Sequence, residues 1–324
     1  MNQISPYYSW YIKGSIASNS NLPDRSKFAA ECFENSLKYL KTEDAYRSLM
    51  VCYAKLQDDD NYMGTLERAV CDGFSIFYST FGLFYADNPI YFDKEKSLYW
   101  FEKGIKEGNV KSYCDLANHY MAGCKAFKKN EKKGISLLLK ALELNDPQYN
   151  GYICWAIGKY CYDKEEYEVA FNHFYKAFDC GYKKASYNLA LMYRDGLGVK
   201  KDINEYINYL LKDLSPESAL ELGGIYNTGL YTQVDHYLAF TYFDYAAKSG
   251  NPIGAIMAAG YIVQRKDYNE AVLNKYLEIA FRNGANDQNM KDHYQDIEDT
   301  LGKDVKDKLQ ELAAKYWNIN KSLA

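Results

Sequence analysis

The sequence predicts an all-α fold, a right-handed α/α solenoid (superhelix) of stacked helical hairpins. Three observations lead there. A frame of the form small-x-x-x-apolar-small-x-x-Tyr recurs, with its apolar anchor at positions 49, 81, 116, 157, 189, 222 and 258. Those anchors are spaced by 32, 35, 41, 32, 33 and 36 residues, the period at which one helical hairpin stacks on the next. A second frame, Ala-x-x-x-Gly, interleaves with the first in register.

The elements follow in order. Residues 1–40 form a degenerate first hairpin, with Pro6-Tyr7-Tyr8-Ser9-Trp10-Tyr11-Ile12 on one side and the segment from Asp24 to Leu40 on the other. Its aromatic cluster, Tyr7, Tyr8, Trp10 and Tyr11, is either packed under the first repeat or a surface for self-association. About seven repeats fill residues 41–284. In each, anchor and tyrosine lie four residues apart on one helical stripe, and the small residue between them lets two helices approach closely. Good copies are Ser112…Leu116-Ala117…Tyr120, Ala185…Leu189-Ala190…Tyr193 and Ser218…Leu222-Gly223…Tyr226; those at Ile157 and Ala258 have lost the tyrosine. The partner helices end as Ala69/Gly73, Gly104/Gly108, Ala141/Asn145, Ala177/Gly181, Ala246/Gly250 and Ala280/Gly284. The glycine sits where a left-handed cap excludes most side chains. Asp202, Asp235 and Asp267 each open a second helix with a side-chain acceptor for free N–H groups. Residues 285–324 are expected to be capping helices, with Val305, Leu309, Leu312 and Tyr316 forming the apolar stripe of the last one.

The run from Ala185 to Asp202, with Tyr193, Gly196, Gly198 and Val199 in order, resembles the hallmark of the Sel-like repeat (SLR) family, relatives of tetratricopeptide repeats. Tyr242-Phe243-Asp244-Tyr245-Ala246-Ala247-Lys248-Ser249-Gly250-Asn251 resembles that family's second-helix ending. The resemblance covers residues 41–284 and is strongest over 165–284. Copies before residue 110 are closer to generic tetratricopeptide-like hairpins. It implies an interaction scaffold whose first helices line a concave face.

Composition narrows the functional classes. At 324 residues, length alone would suggest two domains, but a continuous repeat grows without a central core and no linker is legible. A net charge of −4 and a pI near 5.7 argue against nucleic-acid binding, which wants a basic face. The longest apolar run, Ala255 to Val263, is far below a membrane-spanning length. The start, Met1 to Pro6, lacks a basic segment followed by an apolar core, so a cytoplasmic location is the default. Delivery by a non-classical secretion system is compatible with the same sequence. Tyrosine, at 34 residues, is abundant enough to suggest a sticky surface, although many tyrosines occupy repeat slots.

Eight cysteines bring to mind the disulfide-stapled branch of the resembled family, but here they do not recur at one slot. Cys154 and Cys161 share a helix about 10 Å apart along its axis, beyond disulfide reach. Buried free thiols are the expectation. No CxxC occurs and the four histidines, His119, His173, His236 and His293, are far apart, so no metal site is predicted. Gly196-Leu197-Gly198 lacks the third glycine and the preceding strand of a phosphate loop. With no paired carboxylates, nucleophile motif or cofactor loop, neither enzymatic activity nor a cofactor is expected.

First-helix positions two before, two after and five after the anchor point away from the partner helix. They yield a candidate partner-binding set: Arg47, Asn118, Trp155, Lys159, Tyr162, Tyr187, Arg194 and Asn227. Trp, Tyr and Arg dominate binding hot spots, and such a stripe suits an extended peptide with apolar side chains and carboxylates. In the last hairpins Gly224, Ile256 and Gly260 look like tight helix packing. The predicted function is a non-enzymatic scaffold or adaptor for a peptide or partner protein. The alternatives are a regulatory or secreted effector that modulates an enzyme or host factor by binding, and an enzyme with an unrecognised site.

Overall fold

The computed structural model describes residues 5–19, 22–265, 268–285 and 290–321. The chain divides into two units, Met1–Ile153 and Cys154–Ala324. Among the described residues every regular element is a helix. The N-terminal unit holds α1 (Pro6–Ser18), α2 (Pro23–Leu37), α3 (Glu43–Lys55), α4 (Asp59–Cys71), α5 (Tyr78–Asp87), α6 (Lys94–Lys106), α7 (Val110–Ala122) and α8 (Glu131–Glu143). The unit boundary falls within α9 (Pro147–Asp163). Then come α10 (Tyr167–Asp179), α11 (Lys184–Asp195), α12 (Ile203–Asp213), α13 (Pro216–Thr228), α14 (His236–Lys248), α15 (Pro252–Gln264), α16 (Glu270–Arg282), α17 (Lys291–Leu301) and α18 (Lys303–Lys321). Consecutive odd and even helices pair as hairpins, which makes the protein an all-α solenoid.

Each repeat slot has the burial its chemistry requires. The seven anchors, Leu49, Phe81, Leu116, Ile157, Leu189, Leu222 and Ala258, are all at most 3% exposed. On the second helices, Leu66, Phe101, Leu138, Phe174, Phe243 and Leu277 are equally buried, three residues before the Ala-slot position. Side chains of this size contribute about 1.5–3 kcal/mol each when removed from water. The two sets trade volume across the hairpin. Where the small slot is Gly82, Gly158 or Gly223, the facing slot is Phe101, Phe174 or Phe243, and a Cβ on the glycine would stand 2.6–2.8 Å from the ring. Where the small slot is Met50, Ala117 or Ala259, the facing slot is Leu66, Leu138 or Leu277. The first hairpin repeats the pattern with Gly14 and Phe33, at 2.9 Å.

The turns are equally regular. Within hairpins, the N–H of the residue capping the second helix donates to the carbonyl four after the anchor: Asp58 to Tyr53, Asp93 to Tyr85, Asn130 to Tyr120, Glu166 to Cys161, Asp202 to Tyr193 and Asp235 to Tyr226. The capping side chains then accept from the first turn, Asp202 from the N–H groups of Asn204 and Glu205, Asp235 from those of Tyr237 and Leu238. Asp267 lies outside the described residues, and Asn269 caps α16. Between hairpins, the 6→1 bonds from Phe74 to Ala69, Asn109 to Gly104, Tyr182 to Ala177, Asn251 to Ala246 and Ala285 to Ala280 close a left-handed cap at Gly73, Gly108, Gly181, Gly250 and Gly284. Gly198 is held twice over. Its φ is +68°, and a Cβ there would stand 2.3 Å from the Tyr167 carbonyl oxygen at the start of α10.

The ends differ in detail from expectation. Tyr7 is buried and hydrogen-bonds Thr42 Oγ1 at 2.8 Å, and Tyr11 packs edge-on against Phe33, whereas Tyr8 is exposed. In α18 the buried stripe is Leu309, Ala313 and Trp317, flanked by Val305 and Leu312. The Tyr316 side chain lies outside the described residues. All eight cysteines are free, but Cys71 and Cys180 are exposed and Cys124 is half-buried, so burial holds only for Cys32, Cys52, Cys114, Cys154 and Cys161. Among the described residues no helix is long and apolar enough to cross a membrane.

Candidate functional site

The C-terminal unit contains a cleft of about 500 Å³. Its floor and walls come from α11, α13, α15 and α17 and the loop after α13, with Tyr206 of α12 and Phe243 of α14. Glycine at one slot opens it. Gly224 stands two after the anchor Leu222, where α11 carries Leu191, and nothing lies within 4 Å of the place its Cβ would take. Around that opening Leu220, Ile225, Leu230, Ile253 and Met257 supply apolar surface, and Tyr187, Tyr206 and Tyr231 supply rings. Gly224 therefore faces open space, contrary to the packing role its sequence context suggested. Gly260 and Ile256 do pack: a Cβ on Gly260 would meet Ile297 at 3.2 Å, and Ile256 is fully buried.

Charge in the cleft is arranged around Arg194. Its Nε and Nη2 donate to both oxygens of Asp195 at 2.9 and 3.0 Å, and its Nη1 lies 3.6 Å from Glu221 Oε1. This bidentate pairing holds the Asp195 carboxyl below its ordinary range and raises the guanidinium further. The buried Tyr206 hydroxyl donates to Glu221 Oε2 at 2.7 Å. Burial, and then that carboxylate, push the Tyr206 phenol well above its usual value. Glu217 stands one turn before Glu221, and Asp296 lies across the opening beside His293, with 3.5 Å between Oδ2 and Nδ1. The one arginine is already shared, so carboxylate is in surplus. At the inner end, Asn227 Oδ1 accepts from the Tyr261 hydroxyl, which lies 3.0 Å from His236 Nδ1. With the single Tyr261 proton committed to Asn227, that nitrogen must be the N–H donor. Burial pushes Tyr261 up to about 12.

Of the eight residues predicted to bind a partner, Tyr187, Arg194 and Asn227 line this cleft. Asn227 is only 4% exposed. The others are placed elsewhere. Arg47, in the N-terminal unit, is exposed and ion-paired with Glu43 on its own helix. Asn118 accepts from the Tyr152 hydroxyl at 2.5 Å. Trp155 docks into the next hairpin: its indole N–H donates to Asn188 Oδ1 at 2.9 Å and its ring packs on Tyr182. Lys159 leans over that ring with Nζ 5.8 Å from its centroid, and Tyr162 packs edge-on against Tyr167. Glu217, Glu221, Tyr231, His293 and Asp296 were missed. The i, i+4 run Glu217, Glu221 and the adjacent Gly224 was visible as one face of α13, but the contribution of α17 is tertiary and left no local signal.

This architecture defines a class, the solenoids of stacked helical hairpins. A model of the Sel1 repeat matches residues 89–109, 110–146, 183–212 and 216–251, so the chain carries four Sel1 repeats over those residues. Sel1 repeats are generally protein–protein interaction modules. The matches cover α6, α7–α8, α11–α12 and α13–α14, and leave out α1–α5 although Tyr53 and Tyr85 are present there. They also leave out α9–α10 and α15–α16, whose tyrosine slots hold Cys161 and Ile262. A crystal structure of a Sel1 repeat protein from Oxalobacter formigenes superposes with a TM-score of 0.59 at 21% identity, over 88% of this chain and 86% of that one. A protective antigen of uropathogenic Escherichia coli strains displaying an SLR fold gives a TM-score of 0.55 at 17% identity, over 91% of this chain and 65% of that one. At these identities the likeness is one of fold. A search of curated proteins gave no match.

Proposed function

We propose that the protein is a non-enzymatic scaffold or adaptor that seats a peptide or partner segment in the cleft around Gly224. One observation carries this: an apolar hollow kept open by a helical glycine and edged by surplus carboxylate. Gly224 shares its empty Cβ position with Gly64 of α4, and what sets it apart is the cleft around it, lined by Leu220, Ile253 and Met257 and by Glu217, Glu221 and Asp296. An apolar side chain fits over Gly224, and a Lys or Arg beside it meets Glu217, Glu221 and Asp296. The carboxylate-bearing ligand expected from the isolated cations is disfavoured, because Arg194 is satisfied by Asp195 and Glu221. Tyr187 and Arg194 remain in the contact set as walls. A first hairpin over 1–40 and closing helices over 285–324 bound the repeats in this reading. Eight free thiols, two of them exposed, suit a reducing compartment.

Peptide display against the purified chain tests it. Selected sequences should share an apolar residue next to Lys or Arg, and Glu217→Lys should reverse the charge preference. Selection of acidic peptides, or of none, would contradict the proposal.

A further inference from the structure

Three side chains of different chemistry converge in the N-terminal unit: one oxygen of Asp87, one nitrogen of His119 and the sulfur of Cys124 lie within 4.8 Å of one another. Asp87 is the last residue of α5, His119 is in the last turn of α7, and Cys124 follows α7 directly. Local sequence could not show this set, because Asp87 is remote in the chain and the remaining pair is neither CxxC nor HxxxH.

We propose that Asp87, His119 and Cys124 form a zinc-binding site. The geometry argues for it in three independent ways. The His119 Nε2 is buried and makes no hydrogen bond, with Asp87 Oδ2 at 3.8 Å, too far to accept one. A histidine serving only as filler between Phe101 and Phe127, 5.9 and 5.7 Å away, would leave that nitrogen orphaned at a cost of about 1–3 kcal/mol. A metal ion is the partner it lacks. Next, the C-terminal ends of α5 and α7 meet here, and both carry the negative end of a helix dipole, which favours a cation. Finally, the loop is shaped for the sulfur. Gly123 turns with φ +75°, and the Cys124 N–H donates to the Phe127 carbonyl at 2.8 Å, which holds the thiol beside His119.

Thiolate, imidazole and carboxylate together are a zinc donor set, with the fourth tetrahedral position left to solvent. Bond lengths of about 2.0–2.3 Å place tetrahedral donors about 3.5 Å apart, so small side-chain rotations close the present spread. Binding releases the Cys124 thiol proton to solvent as the Sγ–Zn bond forms. The ion would tie the end of one first helix to the turn of the next hairpin.

The test uses the full chain, freed of metal by chelator, and cobalt(II) as the probe. Wild-type protein should take up one equivalent with a thiolate-to-cobalt charge-transfer band, and zinc should bleach it. Cys124→Ser should lose the band, Asp87→Asn should weaken binding by about tenfold or more, and Cys180→Ser, altering an exposed thiol elsewhere, should match wild type. Asp87 is exposed and Cys124 is a half-buried loop residue at the edge of the core, and circular dichroism should be unchanged in both variants. No thiolate band in the wild type, a band that survives Cys124→Ser, or wild-type affinity in Asp87→Asn would each overturn the site.

Discussion

Gly158 of α9 and Phe174 of α10 are one steric unit: a Cβ on the glycine would stand 2.8 Å from the ring, closer than real atoms approach. The same Gly–Phe fit recurs at Gly14 with Phe33, Gly82 with Phe101 and Gly223 with Phe243. Hairpins with alanine in the small slot carry leucine opposite. Packing density at this contact is thus conserved by exchanging volume between the two helices.

Gly158→Ala is therefore expected to destabilise the protein by about 1–3 kcal/mol, despite the better helix propensity of alanine. Adding Phe174→Leu, which recreates the Ala117 and Leu138 pairing, should recover part of that loss. A double-mutant cycle in urea would show a favourable coupling of about 1 kcal/mol or more. Simple additivity of the two changes would refute the volume exchange.

Two glycines with positive φ should respond differently to alanine. Gly73, with φ +92° and nothing near its Cβ position, pays for left-handed backbone alone, about 1–2 kcal/mol. Gly198 adds a collision with the Tyr167 carbonyl at 2.3 Å, so Gly198→Ala should cost clearly more and loosen the α10–α11 contact. Melting curves for the two variants, with amide exchange at Tyr167, would compare them.

The Arg194 and Asp195 pair sets an acid response. The folded Asp195 pKa lies below the unfolded value of 3.8, so its stabilisation is present above that value and fades as pH falls through the folded pKa. Carboxyl-carbon NMR should find Asp195 titrating below the ordinary aspartate range in the wild type and shifted upward in Arg194→Met. An unshifted Asp195 in wild-type protein would contradict the bidentate geometry.

Most of the fold was legible because the repeat slots carry their physics locally. Leu189, Ala190 and Tyr193 announce a packed face, Asp202 a cap, and Gly198 a turn that only glycine makes. The candidate site was legible only in part. Tyr187 and Arg194 were placed by their offset from the anchor, but Trp155 has that offset too and is spent on Asn188 in the next hairpin. Arg194 looked like a free cation because nothing in sequence reveals that Asp195 and Glu221 both face it. Gly224 reads as a packing glycine until its neighbours are known to be absent. Asp296 and His293 reach the cleft through the placement of α17, a tertiary fact.

The central claim is that the hollow over Gly224 is where a partner binds, and filling it is the most direct test. Gly224→Trp puts a ring into open space on a helix, so folding should be untouched or slightly strengthened. Gly64→Trp is the matched control, since Gly64 in α4 also has nothing within 4 Å of its Cβ position. Affinity for a peptide selected on the wild-type chain should then be measured for all three proteins by fluorescence anisotropy. The account predicts loss of binding in Gly224→Trp, by about a hundredfold or more given an apolar anchor worth about 3 kcal/mol, with Gly64→Trp unchanged. Equal affinity in Gly224→Trp and wild type would contradict it.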